Sequence, residues 1–497
     1  MDGMGAGLSR RDFIAAVAMA GLGFRERLDP NVRFVGDSMT RAHRILSGAI
    51  LGTSFDTSRR CRVLVVGAGP AGLAAAWRLQ GAGIDDVLVT ELAEEPFGLL
   101  GRFRCGEFGL VPFGALSVLP PSSKDRIFTR LLVQAKAITG FDVASRPSFD
   151  ISRGGMSPDS WLERRGGSCV QRKLSSDLID LFDRCLKGSV AGEDLRSGFV
   201  GANAAPAVLA ELEQWCRREF ASKAADLSFI GVQDAMWRTV ESSGMRLAPA
   251  GGPGVWFDPL VAHLGDRVIL DAVVGRLGTE DGRCVAFSAD ARKGTITKIV
   301  ADAVLLAVPA ISALRLSTGT VSSRPSLQAP ESVVRLSVGF GFDSYPIKGA
   351  ALGSRVELND DAGTSASWFP HPTGSGPGML LVRRSFPYRA SGPARARLAA
   401  LYYDTARDMA VESLTGLGVD SRAVTRIDVW RVGHAGVRPG RDGGNGWTSI
   451  AQLDRNVWNA GADAIGSMGI CSALKAGVGA AEKCLGVIAR PSESWLR

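Results

Sequence analysis

Histidine is scarce: only His43, His263, His371 and His434 occur in 497 residues. No two of them stand at i, i+4 or as HxH, so the sequence makes no case for a metal centre. The eight cysteines are widely separated, with no CxxC and no histidine at ligand spacing, and read as small buried hydrophobes. No run of eighteen apolar residues is present, so no membrane span is expected. A concentrated basic surface is also missing. Lys and Arg outnumber Asp and Glu by 58 to 50, a net charge of +8, but they are scattered, with no basic helix and no basic run interleaved with aromatics. Nucleic acid is therefore not an expected partner.

What is present suits a large globular protein. Hydrophobic residues make up 45% and charged residues 22%, and 61 glycines suggest many close backbone approaches. A chain of 497 residues is long enough for a sizeable core and at least two lobes.

Near the N-terminus, Ser9-Arg10-Arg11-Asp12-Phe13-Ile14 is followed by a mildly apolar stretch from Ala15 to Gly23. The pattern resembles a bacterial twin-arginine export signal, which implies an exported or periplasmic protein; without export the protein would be cytoplasmic. Phe24-Arg25-Glu26-Arg27 stands where a cleavage site would fall, so cleavage is left open.

The strongest local signal follows a connector. Arg62 to Val66 is a β-branched run, Gly67-Ala68-Gly69-Pro70-Ala71-Gly72 supplies GxGxxG, and Leu73 to Gly83 has helical spacing. Gly67 permits the tight turn, Gly69 lets the backbone approach a pyrophosphate, and Gly72 lets the helix pack closely, with its N-terminus toward the phosphates. Val87 to Thr90 forms a second strand ending in Glu91, which lies 19 positions after Gly72 (91 − 72). That is close to the ~20 expected of a carboxylate on a ribose hydroxyl. Strand, glycines, helix, strand and acid together predict a dinucleotide site.

Four further stretches carry a resemblance: Glu95 to Arg102; Phe113-Gly114-Ala115-Leu116; Pro249 to Val274 with Ala301-Asp302-Ala303-Val304 to Pro309; and Asn459-Ala460-Gly461-Ala462-Asp463 with Gly469 and Ile470 opening a small-residue helix. They resemble the flavin-dependent amine oxidase superfamily, and more narrowly a group of exported bacterial FAD-dependent oxidoreductases. The resemblance implies an α/β fold, a Rossmann-type FAD-binding domain with an inserted α+β substrate domain. It also implies FAD as the cofactor, with Arg102 on the pyrophosphate, Gly114, Ala115 and Leu116 under the flavin ring, Val274 on the adenine, and Gly461, Asp463, Gly469 and Ile470 at the flavin phosphate and ribityl chain. Three positions depart from the family pattern: Leu100 replaces a glycine, Ala462 is an extra residue, and Arg335 stands where a lysine is usual.

The expected division is a signal segment 1–28, a connector 29–58, FAD-binding parts 59–150, 245–325 and 441–497, and substrate-lobe parts 151–244 and 326–440. The first substrate part reads as helical, with Leu174 to Leu186 and Pro206 to Phe220 at helical spacing; the second reads as strands followed by a helix from Pro393 to Leu414. Arg335, a permanent cation, is a candidate to polarise the flavin or hold a substrate carboxylate. Trp430, read at a strand end, is a candidate cage wall for an amine, and His434 a candidate proton acceptor.

The activity implied is hydride transfer from an amine-type C–H donor, a small molecule, to FAD, with oxygen or a quinone taking the electrons. Two alternatives stay open: a desaturase or protoporphyrinogen-oxidase-like enzyme on an apolar substrate, and a silent flavoprotein-like scaffold. A homodimer or a partner subunit is also left open.

Overall fold

In the computed structural model the described residues are 32–36, 55–121, 125–134, 168–170, 174–188, 192–242, 246–248, 251–317, 331–344, 346, 356–357, 364–370, 377–400, 404–437, 452–465 and 469–488. The twin-arginine-like segment Ser9 to Ile14 lies outside them.

Val63, Leu64, Val65 and Val66 are all buried, as a central parallel strand covered on both faces requires. Their strand, Thr57–Val66, runs parallel to Ile296–Leu306 on one side and to Val87–Thr90 on the other, with Val63 opposite both Ala303 and Val87. The sheet continues outward to Val268–Ile269 at one edge and to Val457–Asn459 and Gln452–Asp454 at the other. The hairpin Ala272–Glu280 with Arg283–Asp290 joins it antiparallel through Ile296–Leu306.

At the end of Thr57–Val66 the chain turns through Gly67, at φ 105°, into the helix Pro70–Gln80. A long closing helix, Ile470–Ile488, packs against it so tightly that a Cβ on Gly477 would stand 1.9 Å from the Ala71 carbonyl oxygen. Small residues thus let two helices share one face of the sheet, and Leu73, Leu79, Leu474 and Val478 close the core there. This is the Rossmann-type layer expected from the sequence.

A second sheet runs in the order Val32–Phe34, Arg426–Val437, Ser332–Phe342, Gly378–Phe386, Ser365–Pro370, Val356–Glu357. Its strands alternate by face. Val334, Leu336, Val338 and Phe340 pack with Leu398, Met409 and Leu414 of two covering helices, while Arg335 and Ser337 point to the opposite side. The helix expected from Pro393 to Leu414 is divided into Tyr388–Ala400 and Asp404–Gly416. The split lets two apolar stripes, rather than one, cover the same sheet face. The strand Val32–Phe34 lies in the segment read as a connector; it pairs in parallel with Ile427 to Val429 and so belongs to this sheet.

The third unit is the helical cluster Ser176–Leu186, Leu195–Gly201, Pro206–Phe220 and Phe229–Glu241, built around Trp215, Phe182 and Phe199. Ser175 caps the first helix by accepting from the Leu178 amide, and Asp194 with Ser197 forms a capping box at the second. The helices read at Leu174 to Leu186 and Pro206 to Phe220 are present as expected. Among the described residues no helix is long and apolar enough to cross a membrane, and no cluster of His, Cys, Asp and Glu could hold a metal.

Candidate active site

One cavity of about 630 Å³ runs from the start of the Pro70–Gln80 helix to the second sheet, with the helical cluster forming a side wall. At one end lie Gly67, Gly69, Pro70 and Ala71, followed by Thr90 and Glu91 at the tip of the second strand. Gly72 sits just behind, where a Cβ would stand 1.8 Å from the Gly67 carbonyl oxygen. The helix N-terminus offers backbone N–H groups to an anion at this end of the cavity. Glu91 accepts from the amides of Ala68 at 2.7 Å and Ala93 at 3.0 Å. Burial pushes its pKa up, and those amide bonds act in the opposite direction. The Thr90 hydroxyl is buried beside it with no hydrogen-bond partner. A glycine cradle, a helix terminus, an oriented carboxylate and an orphaned hydroxyl in one concave wall fit a dinucleotide.

The remaining residues expected to touch the cofactor divide. Ala115, Val274, Gly461, Asp463, Gly469 and Ile470 line the same cavity. Asp463 accepts from the Ala310 amide at 2.8 Å, and burial raises its pKa to about 6. Gly114 and Leu116 do not line the cavity. Gly114 lies against the Leu99 carbonyl, and its own carbonyl accepts from Arg383 Nη1 at 2.6 Å. Arg102 also stands outside the lining, contrary to its expected place at the pyrophosphate: its guanidinium pairs with Asp258 and lies 4.7 Å from the centre of the Phe97 ring. An acid within reach and an aromatic face have drawn it behind the loop.

At the other end, Arg335, Trp430 and His434 all line the cavity. Trp430 is not at a strand end; it is the fifth residue of Arg426–Val437, opposite Ser337, and its ring centre lies 5.5 Å from that of Phe103. Arg335 donates through Nε to the Ser385 hydroxyl at 3.3 Å. His434 Nδ1 lies 3.0 Å from the Ser332 hydroxyl, which accepts from Arg395 Nη2 at 3.0 Å. The Ser332 hydroxyl has a second lone pair, so in the tautomer with hydrogen on Nδ1 it accepts from His434 and leaves the Nε2 lone pair free.

Sequence reading missed the charges on the side wall. Arg217, Arg218, Glu219 and Arg246 line the cavity, with Glu219 accepting from Arg246 at 2.5 Å and from Arg218 at 2.8 Å. Burial alone would raise the Glu219 pKa, but Arg246 and then Arg218 outweigh it and hold it at about 2. Arg383 was missed as well, although an arginine two positions from a serine on an otherwise apolar strand, Met379-Leu380-Leu381-Val382-Arg383-Arg384-Ser385, is a readable sign of a polar face. Gly36, in the segment read as a connector, completes the wall: a Cβ there would stand 2.4 Å from Phe103 and 3.2 Å from Trp430.

A largely parallel sheet with a glycine turn, and a cavity shared with a second, mainly antiparallel sheet, define a mixed α/β protein with a Rossmann-type domain. Residues 65–134 match the model of an NAD(P)-binding Rossmann-like domain. Searched by sequence, the curated proteins give no match. Among solved structures the chain is similar to a putrescine oxidase double mutant, with 15% identity and a TM-score of 0.52 over 86% of this chain and 100% of that one. It is also similar to cyclohexylamine oxidase from Brevibacterium oxydans IH-35A, at 15% identity and a TM-score of 0.53, over 86% of this chain and 99% of that one. A protoporphyrinogen oxidase-like protein from Exiguobacterium sp. 255-15 gives 15% and 0.53, again over 86% and 99%. The chain thus has the amine-oxidase-like fold expected from its sequence.

Proposed function

We propose that the protein is an FAD-dependent oxidoreductase that takes hydride from an amine-type C–H donor. The observation that carries this reading is the continuity of the cavity: one space joins a dinucleotide cradle to a chamber walled by Trp430, Val432, Leu99 and Arg335. The fold shared with putrescine and cyclohexylamine oxidases supports the amine part.

The Gly67 to Gly72 turn and the helix behind it would hold the pyrophosphate, Glu91 a ribose hydroxyl, Val274 the adenine, and Gly469 with Ile470 the flavin-side phosphate. When bound, FAD supplies the hydride acceptor. The chain's own task is placement. Trp430 and Phe103 would give the donor an apolar wall, and His434, oriented by its Nδ1 contact with Ser332, would accept a proton at Nε2. Oxygen or a quinone would take the electrons. The apolar wall also supports a second reading, a desaturase-like reaction on an apolar substrate.

An anaerobic absorption spectrum tests the proposal. Flavin bands near ~380 and ~450 nm that bleach with an amine or amino acid are the expected result. A protein that takes up no FAD overturns the cofactor assignment; one that binds FAD but is bleached by no donor favours a silent scaffold. Export by the twin-arginine route belongs to the same proposal and is motivated by Ser9 to Ile14. Replacing Arg10 and Arg11 with lysine is expected to leave the protein in the cytoplasmic fraction, and unchanged periplasmic recovery would remove the export reading.

A further inference from the structure

We propose that the cavity face of the second sheet, centred on Arg335 and Arg383, is a carboxylate-binding subsite, so that the donor is a carboxylate-bearing molecule rather than a di- or polyamine. The inference deepens the oxidoreductase reading and rests on it.

Strand register builds the subsite. Arg335 stands opposite Ser385 on one side and Val432 on the other; Ser337, one row along, stands between Arg383 and Trp430, and Ser365 lies beyond Arg383. Directly opposed residues share a face, so two guanidinium groups sit as diagonal neighbours, about 7–8 Å apart at the backbone. Hydroxyl groups lie between and beside them, and an indole flanks the row.

The charge of Arg335 is not balanced by an acid among the described residues; its one hydrogen bond goes to Ser385. Burial lowers its pKa, and no neighbouring carboxylate raises it. Ser337 is fully buried, and its hydroxyl has no hydrogen-bond partner. Asp428, on the same face opposite Gly339, is held by Arg33 and Arg426 and lies outside the cavity lining. Glu219, on the facing wall, is claimed by Arg246 and Arg218. An ammonium brought beside Arg335 would meet a cation that no described acid offsets, whereas a carboxylate there would offset the cost of a desolvated guanidinium through a two-pronged charge-assisted bond. The apolar wall of Trp430 and Val432 suits an aromatic or aliphatic carboxylate.

The test uses three probes of nearly one shape, benzoate, benzamide and benzylamine, titrated by calorimetry into the full-length protein with and without FAD. Benzoate is expected to bind at least about tenfold more tightly than either of the others, and more weakly as salt rises. Arg335→Gln is expected to weaken benzoate at least about tenfold while Arg335→Lys recovers part of the loss, with thermal melting used to show that both variants fold. Because the probe series needs no variant, a variant that misfolds does not remove the test. Benzylamine binding as tightly as benzoate, inorganic phosphate binding more tightly than benzoate, or benzoate affinity indifferent to Arg335→Gln would each overturn the subsite. Selective benzoate binding in a protein bleached by no donor would retain the subsite and sink the oxidoreductase. Bleaching by putrescine without benzoate selectivity would do the reverse.

Discussion

Arg246 donates to Glu219 at 2.5 Å across 27 residues of chain, tying the strand Arg246–Ala248 to the end of the helix Pro206–Phe220 beside the cavity. Arg246 also donates to the hydroxyl and the carbonyl oxygen of Ser117, at 2.9 and 3.0 Å, so one guanidinium joins the helical lobe to the segment that follows Ala115. Glu219→Gln would leave Arg246 and Arg218 buried without their anion. Loss of one partner from a buried pair costs about 3–5 kcal/mol, so a large fall in denaturant midpoint is expected. A fall under about 1 kcal/mol would mean that the pair contributes little.

The same carboxylate sets an acid limit. Its folded pKa, about 2, lies below the unfolded value of about 4.5, so its contribution is fully present above pH ~4.5 and is lost as pH falls toward 2. In a melting-temperature series, Glu219→Gln is expected to flatten this part of the acid limb relative to the wild type. Parallel curves through that window would show that Glu219 does not titrate there.

Asp463 has the opposite sign. Burial raises its pKa from about 3.8 to about 6, so the folded state favours the protonated form; that stabilisation is complete below about 3.8 and is lost as pH rises through 6. Asp463→Asn keeps an oxygen for the Ala310 amide while removing the ionisation. The variant is expected to match the wild type near pH 4 and to exceed it in melting temperature above pH 6. A constant offset across pH 4 to 7 would remove this assignment.

The strand, glycine turn, helix and second strand at one end of the cavity were legible because their physics is local. A β-branched run, a glycine turn, a helix and a terminal acid occupy one continuous stretch, and Glu91 lies where that spacing puts it. What escaped reading depends on partners far apart in sequence. The Glu219 pair joins distant segments, and Arg33 of the Val32–Phe34 strand meets Asp428 across 395 residues. Trp430 was read at a strand end because nothing local marks how far Arg426–Val437 extends; Arg102 was placed on the pyrophosphate by resemblance, and its partner Asp258, 156 residues away, left no local sign. Period-two polarity around Arg335 and Arg383 was present in the sequence, but only the sheet order shows that the two arginines share one face.

Arg102 provides a direct comparison of the expected and observed placements. A pyrophosphate ligand would affect dinucleotide affinity and its salt dependence; a loop anchor paired with Asp258 and stacked on Phe97 would affect stability. Arg102→Gln is expected to lower stability by about 1–3 kcal/mol and leave the FAD dissociation constant within about tenfold of wild type, with the same salt slope. A large loss of FAD affinity in a variant that melts normally would return Arg102 to the pyrophosphate.

The contact between the two helices on the sheet gives the cleanest pair of substitutions, because neighbouring glycines on one helix have different surroundings. A Cβ on Gly477 would stand 1.9 Å from the Ala71 carbonyl oxygen, whereas at Gly479 nothing lies within 4 Å. Gly477→Ala must push the closing helix away from Pro70–Gln80, which overpacks the core and shifts the helix N-terminus that faces the cavity; a loss of about 1–3 kcal/mol is expected. Gly479→Ala gains helix propensity at an open position and is expected to stabilise by up to about 1 kcal/mol. Because Ala71 lines the dinucleotide end of the cavity, Gly477→Ala is also expected to weaken FAD binding while Gly479→Ala leaves it unchanged. Equal effects of the two substitutions on melting temperature and FAD affinity would contradict the close approach of these helices.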